Sequence, residues 1–400
     1  MKPRWQTLSI MFAVQVVGSL TFLTLTVLTP FLKSDFGVST TDIGILVTLL
    51  YAGYFSSVTT GGIVTDYAGE RFSLALGLAL IGAIALLLSV LPTFWSLVGG
   101  AYVVGLGYGT VPSGTNKGIF DWFPPGQRTI GISIKQTGVM FGGAVGAALL
   151  PATASLFGWR TAVRLVAAVT LLMLGVIYVY SPKEAPSGER VPSASRIVDT
   201  HRRILALAAK RDMLPFLVSG VLFGATQFTL MAYIVLYLTE DLLLAPAVAG
   251  LVYTGMQLMG MGSRVGFGVL TDSYFVANKH LVLAGIGIVG FAFYLPLVFL
   301  NPDTEFLLSL VVLLCVGAVS LGYNGVYLTM AGEVISDDEA GTGTAIGVAS
   351  VMVGAVIAPP TVGVVIDATG DYGASLAFLG VLTLVAGLAA VFSATEEKAA

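Results

Sequence analysis

Two cationic residues, Lys135 and Arg264, lie well inside long apolar stretches of the sequence. Lys135 comes six residues after Thr129, where one stretch begins, and Arg264 comes eight residues before Asp272, where another ends. If the stretches are membrane-spanning helices, these spacings place the two side chains about 9 Å and about 12 Å into the bilayer. An ionisable group at such a depth costs at least about 2.5 kcal/mol, so both residues are functional candidates.

The chemistry that two such cations offer is the binding of an anion. A guanidinium donates two parallel hydrogen bonds to a carboxylate, whereas an ammonium group acts as a point charge. We find no acidic residue well inside a predicted span that would neutralise them. The alternative roles are structural. Lys135 could extend its aliphatic stem to the inner membrane surface, and Arg264 could bind helix-end carbonyl groups.

Uncharged polar and aromatic residues in the predicted spans are candidates to complete a substrate-binding site. Asn324 stands in one half of an internal repeat at a position where the other half has glycine, as expected of a ligand contact. The tyrosines could equally fill gaps between helices. The candidates are Gln15, Tyr108, Gln136, Gln227, Gln257, Tyr323, Asn324 and Tyr327.

The helices that must position these residues follow from the composition of the chain. Of 400 residues, 56% are apolar and 10% are charged, and the mean hydropathy is +0.92. A soluble domain carries about 25% charged residues, so the composition predicts an integral membrane protein. A net charge of −3 gives no reason to expect a nucleic-acid partner. The chain has one cysteine, which lies in an apolar run, and two histidines, which lie in polar connectors. We therefore predict no disulfide, no metal site and no cofactor. The spans contain no nucleophile–base pair, so we do not expect an enzyme.

The apolar stretches predict twelve membrane-spanning helices, because a bilayer core needs about 20 apolar residues per helix. The N-terminal stretch is too long for the core of a signal peptide, so we interpret it as the first span. The predicted spans are 7–31, 43–65, 72–91, 95–116, 129–151, 161–180, 214–238, 248–271, 281–300, 306–330, 342–366 and 374–393.

Loop cations predict the orientation of the spans. With the N-terminus inside, thirteen Lys and Arg residues fall on the cytoplasmic side and three on the other, which favours two cytoplasmic termini in the cell membrane. Residues 181–212 form the long polar connector, and helical spacing of apolar residues towards its end predicts a short amphipathic helix. We therefore predict a six-helix bundle over 1–180, a cytoplasmic linker over 181–212, and a second bundle with a short tail over 213–400.

The two halves contain related segments in the same order. Gly-Ile-Val-Thr-Asp ends the second span at Asp66, and Gly-Val-Leu-Thr-Asp ends the eighth at Asp272. Leu-Gly-Tyr occurs in the fourth and tenth spans, and Ile-Gly with a glycine seven residues later occurs in the fifth and eleventh. Three matches, each six helices apart, indicate a duplicated six-helix unit with a substrate site between the halves.

The segment Gly-Ile-Val-Thr-Asp-Tyr-Ala-Gly-Glu-Arg resembles the signature Gly-x-x-x-Asp-Arg-x-Gly-Arg-Arg of the major facilitator superfamily, and it departs from that signature at Tyr67, Glu70 and Phe72. The helix count, the linker and the repeat extend the resemblance over the whole chain. The resemblance implies alternating access by rocking of two bundles. It also implies a conformational latch on the cytoplasmic side, formed by Gly62, Asp66, Gly69, Arg71 and the repeat-related Asp272.

Two further segments resemble anion-carrying branches of this superfamily. The run from Gly262 to Gly268 around Arg264 is similar to the arginine segment of monocarboxylate and oxalate/formate carriers, in which the arginine is implied to hold a carboxylate. The run from Ile134 to Gly138 around Lys135 resembles cyanate- and nitrate-type permeases. The fifth and eighth helices are implied to be neighbours, so both cations would face one cavity.

The resulting prediction is a monomeric transporter of a small anion, with a carboxylate favoured. One alternative is a proton-coupled drug exporter of the same fold, which usually needs a membrane-buried carboxylate. A second is a membrane receptor that transports nothing, against which the duplicated halves and buried cations argue. Uniport, anion exchange and proton symport remain open, as do the direction of transport and the particular anion.

Overall fold

A computed structural model describes residues 3–124, 127–180, 213–276, 278–333 and 340–395. These residues form helices and no strand, which confirms the all-α class. We number the α-helices as follows: α1 Pro3–Val27, α2 Thr29–Phe36, α3 Thr40–Leu88, α4 Phe94–Tyr108, α5 Thr110–Trp122, α6 Arg128–Phe157, α7 Trp159–Tyr180, α8 Leu214–Leu236, α9 Pro246–Tyr274, α10 Lys279–Tyr294, α11 Phe306–Gly322, α12 Asn324–Glu333, α13 Ala340–Thr369 and α14 Tyr372–Thr395. Shorter turns follow α8 (Tyr237–Asp241, π) and α10 (Leu295–Val298, 3₁₀).

Eleven segments in the described ranges are long and apolar enough to cross a membrane. The helix α9 has 29 residues and is long enough, but its polar residues lower its hydropathy. Arg264 and Gln257 are among those polar residues. With α9 counted, the structure agrees with the predicted number of spans. The predicted linker over 181–212 and its amphipathic helix lie outside the described residues.

The chain divides into two compact units. The first comprises Met1–Val38, Ile45–Val191 and Pro246–Thr254, and the second comprises Ser39–Gly44, Pro192–Ala245 and Gly255–Ala400. The predicted domain boundaries stay a prediction.

Glycines allow helix backbones to touch within each unit. In the first unit α1 packs along α6, and a methyl group added at Gly142 would overlap the carbonyl oxygen of Val16. In the second unit α8 packs along α13, and a methyl group at Gly354 would overlap the carbonyl oxygen of Val221. Close backbone approach at small residues is how membrane helices gain packing energy, since lipid is as apolar as their side chains.

The repeated Leu-Gly-Tyr segments mark the same interruption in each unit. In the first unit α4 ends at Tyr108, and the ring of Tyr108 stacks on Phe22 of α1 with centroids 4.4 Å apart. In the second unit α11 ends immediately before Tyr323, whose ring stacks on Phe223 of α8 at 4.5 Å. The two units thus repeat a local arrangement that the sequence repeat indicated.

The helix α3 contains a break at the position that the signature predicts for a loop. Gly69 has φ 82° and ψ 162°, a conformation open to glycine and strained for residues with a Cβ. The chain therefore turns at Gly69 between the second and third predicted spans, although helical residues continue on both sides.

The start of α3 is capped by a carboxylate within the second unit. The backbone N–H groups of Thr40 and Thr41 each donate to Asp367 of α13 at 2.8 Å, and the Thr41 hydroxyl donates at 2.6 Å. The first N–H groups of a helix have no partner inside the helix, and a negative charge there is favoured by the helix dipole. Asp367 supplies hydrogen-bond acceptors for these N–H groups and the negative charge that the helix dipole favours.

Candidate functional site

Lys135 is completely buried in the first unit. Its side chain is 0% exposed, so it does not extend to the membrane surface. The ammonium group donates to the Thr115 hydroxyl of α5 at 3.1 Å and to Oε1 of Gln15 of α1 at 3.4 Å. Both acceptors are neutral, and no acidic side chain within the described ranges forms an ion pair with Lys135. The first unit therefore holds a buried positive charge that its own side chains solvate but do not neutralise.

Gln15 connects Lys135 to a chain of hydroxyl groups. The Gln15 Nε2 donates to Tyr108 Oη at 3.1 Å and to Ser19 Oγ at 3.4 Å, and those two oxygens share a hydrogen bond of 2.8 Å. Its Oε1 also accepts from Thr115 at 3.1 Å. All of these side chains are buried. We call Gln15, Ser19, Tyr108 and Thr115 the lysine cradle.

Arg264 of α9 lies half-buried in the second unit. Its Nη2 donates to the carbonyl oxygen of Leu321 at 3.3 Å, while its buried Nε has no hydrogen-bond partner among the described residues. Gly325 leaves room for the side chain, since a Cβ added there would lie 3.4 Å from Arg264 Cγ. The guanidinium therefore has donor capacity that its surroundings do not use.

The aromatic and amide candidates of α12 and its start have different environments. Tyr327 is fully buried, stacks on Phe216 at 4.8 Å, bonds to the Ser350 hydroxyl at 2.7 Å and donates to the Phe216 carbonyl at 3.2 Å. These contacts pack Tyr327 within its own unit, and a substrate role for it stays a prediction. Tyr323 is also fully buried, and Asn324 is half-buried at the first position of α12.

The remaining glutamine candidates differ in exposure. Gln227 of α8 and Gln257 of α9 are buried, and the Gln227 Oε1 has no hydrogen-bond partner within the described ranges. Gln136, beside Lys135 on α6, is exposed. The structure does not bring Gln136 into the lysine cradle. A substrate role for these three residues stays a prediction.

The structure adds ionisable residues that the sequence analysis placed outside the spans. The fourth predicted span ended at 116, but the helical segment continues to Trp122 and includes Lys117 and Asp121, whose side chains pair at 3.1 Å. Glu70, one residue after the break in α3, is buried. Lys117 and Asp121 lie near the end of this helix. That Lys135 and Arg264 are the ionisable residues well inside spans stays a prediction. The spacing of four residues between Lys117 and Asp121 on one helix was the signal that could have shown their pairing.

The residues predicted to form a latch are exposed or bonded within their own unit. Asp66 and Asp272 are exposed, and at Gly62 an added Cβ would meet no neighbour. Arg71 donates to the carbonyl of Tyr178 near the end of α7, and its guanidinium lies over the Tyr178 ring at 5.0 Å. Arg71 thus stabilises the C-terminus of α7, where a cation is favoured by the helix dipole. The latch stays a prediction.

A cavity of about 270 Å³ in the second unit does not contain the candidate residues. It lies between α9 and α10, and its lining is apolar, as Phe267, Leu281 and Val289 illustrate. Arg264 is not among the residues that line it. An apolar cavity offers no group that would bind an anion, so it is separate from the chemistry of the two cations.

Comparison with known proteins decides the family. The family model of the Major Facilitator Superfamily matches residues 10–347 and, in a second match, 216–400. The chain belongs to this superfamily. The membership confirms a multi-pass membrane transporter fold of two pseudo-symmetric bundles, and it confirms that the protein is a transporter-family member and not an enzyme.

Individual relatives are distant from this chain. A hexuronate transporter of Bacillus subtilis is 26% identical over 214 residues, which is 48% of this chain and 49% of that transporter's length. A probable sulfoacetate transporter of Cupriavidus necator is 23% identical and covers 98% of this chain and 94% of its own. The crystal structure of a bacterial homologue of the human lysosomal transporter Spinster has a TM-score of 0.75 at 16% identity, with 97% and 94% coverage.

Proposed function

We propose that this protein transports a small organic anion, with a carboxylate as the favoured substrate, by alternating access in the cell membrane. The observation that carries the proposal is the fully buried ammonium of Lys135, which is held by neutral acceptors. A buried charge that is never compensated costs several kcal/mol. A transporter of anions has a use for it, because the substrate supplies the missing negative charge when it binds.

Arg264 supports the same proposal from the second unit. One of its donors binds a backbone carbonyl, and its Nε has no acceptor among the residues that the structure describes. A carboxylate accepts two parallel hydrogen bonds from a guanidinium, and such charge-assisted bonds are about twice as strong as neutral ones. We expect the substrate to use the donors that the protein leaves unused.

The named relatives favour organic anions that carry a carboxylate. Hexuronate and sulfoacetate are both of this class. The two relatives differ in what else their anion carries, hydroxyl groups in one and a sulfonate in the other. This supports the coarse class of the substrate and leaves the particular acid to experiment.

One observation supports the drug-exporter alternative, since the carboxyl group of Glu70 is buried. Asp121 is already paired with Lys117 and offers less to a cationic drug. Glu70 lies beside the Gly69 break, at the junction of two predicted spans and not in the middle of one. The depth of Lys135 and Arg264 therefore favours an anion over a cation as the substrate.

The test is a thermal-shift screen of purified protein against matched ligands. Each carboxylate, for example glucuronate or sulfoacetate, is compared with its uncharged analogue and with cationic drugs at equal ionic strength. A ligand that binds the folded state alone raises the melting temperature by mass action. Stabilisation by one or more carboxylates is expected. Stabilisation confined to cations would support the exporter and contradict the proposal.

Transport is then measured with the stabilising anion in proteoliposomes. Uptake that depends on the protein and saturates with concentration is expected. Arg160→Lys serves as the control variant because Arg160 pairs with Asp35 at the protein surface and is not part of the lysine cradle. Binding without uptake in intact, sealed vesicles would favour the receptor that transports nothing.

A further inference from the structure

The lysine cradle surrounds a cation with neutral groups although a carboxylate would fit the same space. Gln15 presents its carbonyl oxygen to Lys135 at 3.4 Å and its amino group to the hydroxyls of Tyr108 and Ser19. The reversed amide would place a donor against the ammonium, which can only donate, so Lys135 fixes the amide in this orientation. Glutamate differs from glutamine at this site by one terminal group and one charge.

The choice between neutral and charged acceptor decides how firmly Lys135 is held. A neutral hydrogen bond is about half as strong as a charge-assisted one, so an arriving anion can compete with Gln15 and Thr115 for the ammonium. The lysine stem is flexible and its charge acts without directional demands, which allows the group to change partners. A carboxylate inside the cradle would form a permanent ion pair and leave no charge for the substrate.

We propose that Gln15 is a positioning residue of the anion site, which holds the ammonium of Lys135 by a neutral hydrogen bond and thereby keeps its charge available to the substrate. This inference rests on the proposed function. It assigns to Gln15 and Thr115 a role through Lys135, in place of direct contact with the substrate.

The charged and titratable groups near the cradle do not disturb this arrangement. Within the described ranges, Tyr108 of α4 is the titratable group that bonds to Gln15, while Lys117 and Asp121 of α5 pair with each other. Tyr54 of α3 contacts the ring of Tyr108, with centroids 5.2 Å apart. Other such groups on α3, α6 and α7 have partners outside the cradle, and they include Tyr51, Arg71, Arg128, Arg160 and Arg164.

The test compares charged and neutral replacements of nearly equal shape. Gln15→Glu adds a carboxylate beside Lys135, whereas Gln15→Leu removes the hydrogen bond without adding charge. Binding of glucuronate and of sulfoacetate is measured at about pH 8 on variants that remain folded by size exclusion. We expect Gln15→Glu to weaken binding by about tenfold or more, and Gln15→Leu to weaken it less.

The preference for charge separates a charge effect from damage to the fold. The affinity for glucuronate is compared with that for its uncharged amide, and Gln15→Glu should lose the parent's preference for the acid because its carboxylate neutralises Lys135. Damage to the fold would lower both affinities alike, and Gln15→Leu should keep the parent's preference. If Gln15→Glu fails to fold, Thr115→Asp provides the same comparison from α5, with Thr115→Val as its uncharged match.

Two outcomes overturn the inference, and they differ from failure of the proposed function. If Gln15→Glu binds both anions as the parent does, the neutrality of the cradle is irrelevant. If it weakens binding of the acid and of its amide equally, Gln15 has a structural role. In both cases the parent still binds the anion. A folded parent that binds no carboxylate at all would instead contradict the proposed function.

Discussion

Replacing Arg264 by methionine should weaken substrate binding while leaving the fold at least as stable as the parent. Methionine keeps an unbranched apolar stem and is shorter, with no charge and no hydrogen-bond donors. The variant therefore removes the hydrogen bond from Nη2 to the Leu321 carbonyl and the buried Nε that has no partner in the described structure.

The magnitude follows from what each group contributes. A hydrogen bond from a charged donor contributes about 1.5–3 kcal/mol, and at 3.3 Å this one belongs at the low end. Against it stands the cost of a half-buried guanidinium without an acidic partner in the described residues, which is part of the several kcal/mol that full burial of an unpaired charge would cost. We expect Arg264→Met to stabilise the folded state by about 1 kcal/mol, which for a chain of this length is a rise in melting temperature of about 1 °C. Loss of a charge-assisted contact should weaken anion binding about tenfold to a hundredfold.

The assay is thermal unfolding of the purified variants with and without the anion. Arg264→Lys is the control that keeps the charge, and we expect it to bind poorly because an ammonium cannot reproduce the planar two-bond geometry of guanidinium. It should show no rise in melting temperature. If Arg264→Met melts several degrees below the parent, or binds the anion as tightly, Arg264 is a structural residue and the reasoning is refuted.

Three further measurements test the topology, the backbone and the surface electrostatics. A cysteine introduced at Ser187, in a chain with Cys315 replaced by serine, should react with an impermeant reagent only after the cells are permeabilised. Labelling in intact cells would contradict the predicted orientation. Gly69→Ala should lower stability by about 1–3 kcal/mol because φ is 82° there, and an unchanged melting temperature would show that the break relaxes. A hydrogen bond from Trp159, opposed by burial and aided by Arg160, holds the pKa of Asp35 below its ordinary value; its stabilisation is present above about pH 3.9 and is lost as the pH falls through the lower folded value. Trp159→Phe should therefore unfold in acid at higher pH than the parent, and identical acid profiles would remove Trp159 as the cause.

The fold could be predicted from the sequence because lipid imposes a simple constraint on each span. About 20 apolar residues per helix gave the number of spans, and the repeated Leu-Gly-Tyr segments gave the duplication that the structure repeats around Tyr108 and Tyr323. The end of the fourth span was missed because Thr115, Asn116 and Lys117 lower its hydropathy, although the helix continues past them. Hydropathy cannot distinguish polar residues that face other helices from residues that leave the membrane.

The identity of the buried cations could be predicted, but their partners could not. Lys135 and Arg264 are conspicuous because ionisable residues are rare in apolar stretches. The acceptor Gln15 is 120 residues from Lys135 along the chain, and the bond from Arg264 ends on a carbonyl group, which every residue has. Such contacts follow from tertiary packing. The same reason explains why Tyr327 was a site candidate, although its hydroxyl group is bonded within the protein.

The central claim is that Lys135 and Arg264 serve to bind an anion. The most direct test measures the affinity of the parent for the most stabilising carboxylate of the screen and for the uncharged amide of the same compound. The parent should prefer the carboxylate by about a hundredfold or more, since each charge-assisted contact contributes about 1.5–3 kcal/mol. A folded variant that combines Lys135→Gln and Arg264→Gln should lose this preference. If the double variant still prefers the carboxylate as strongly as the parent does, the two cations do not recognise the charge of the substrate and the account is wrong.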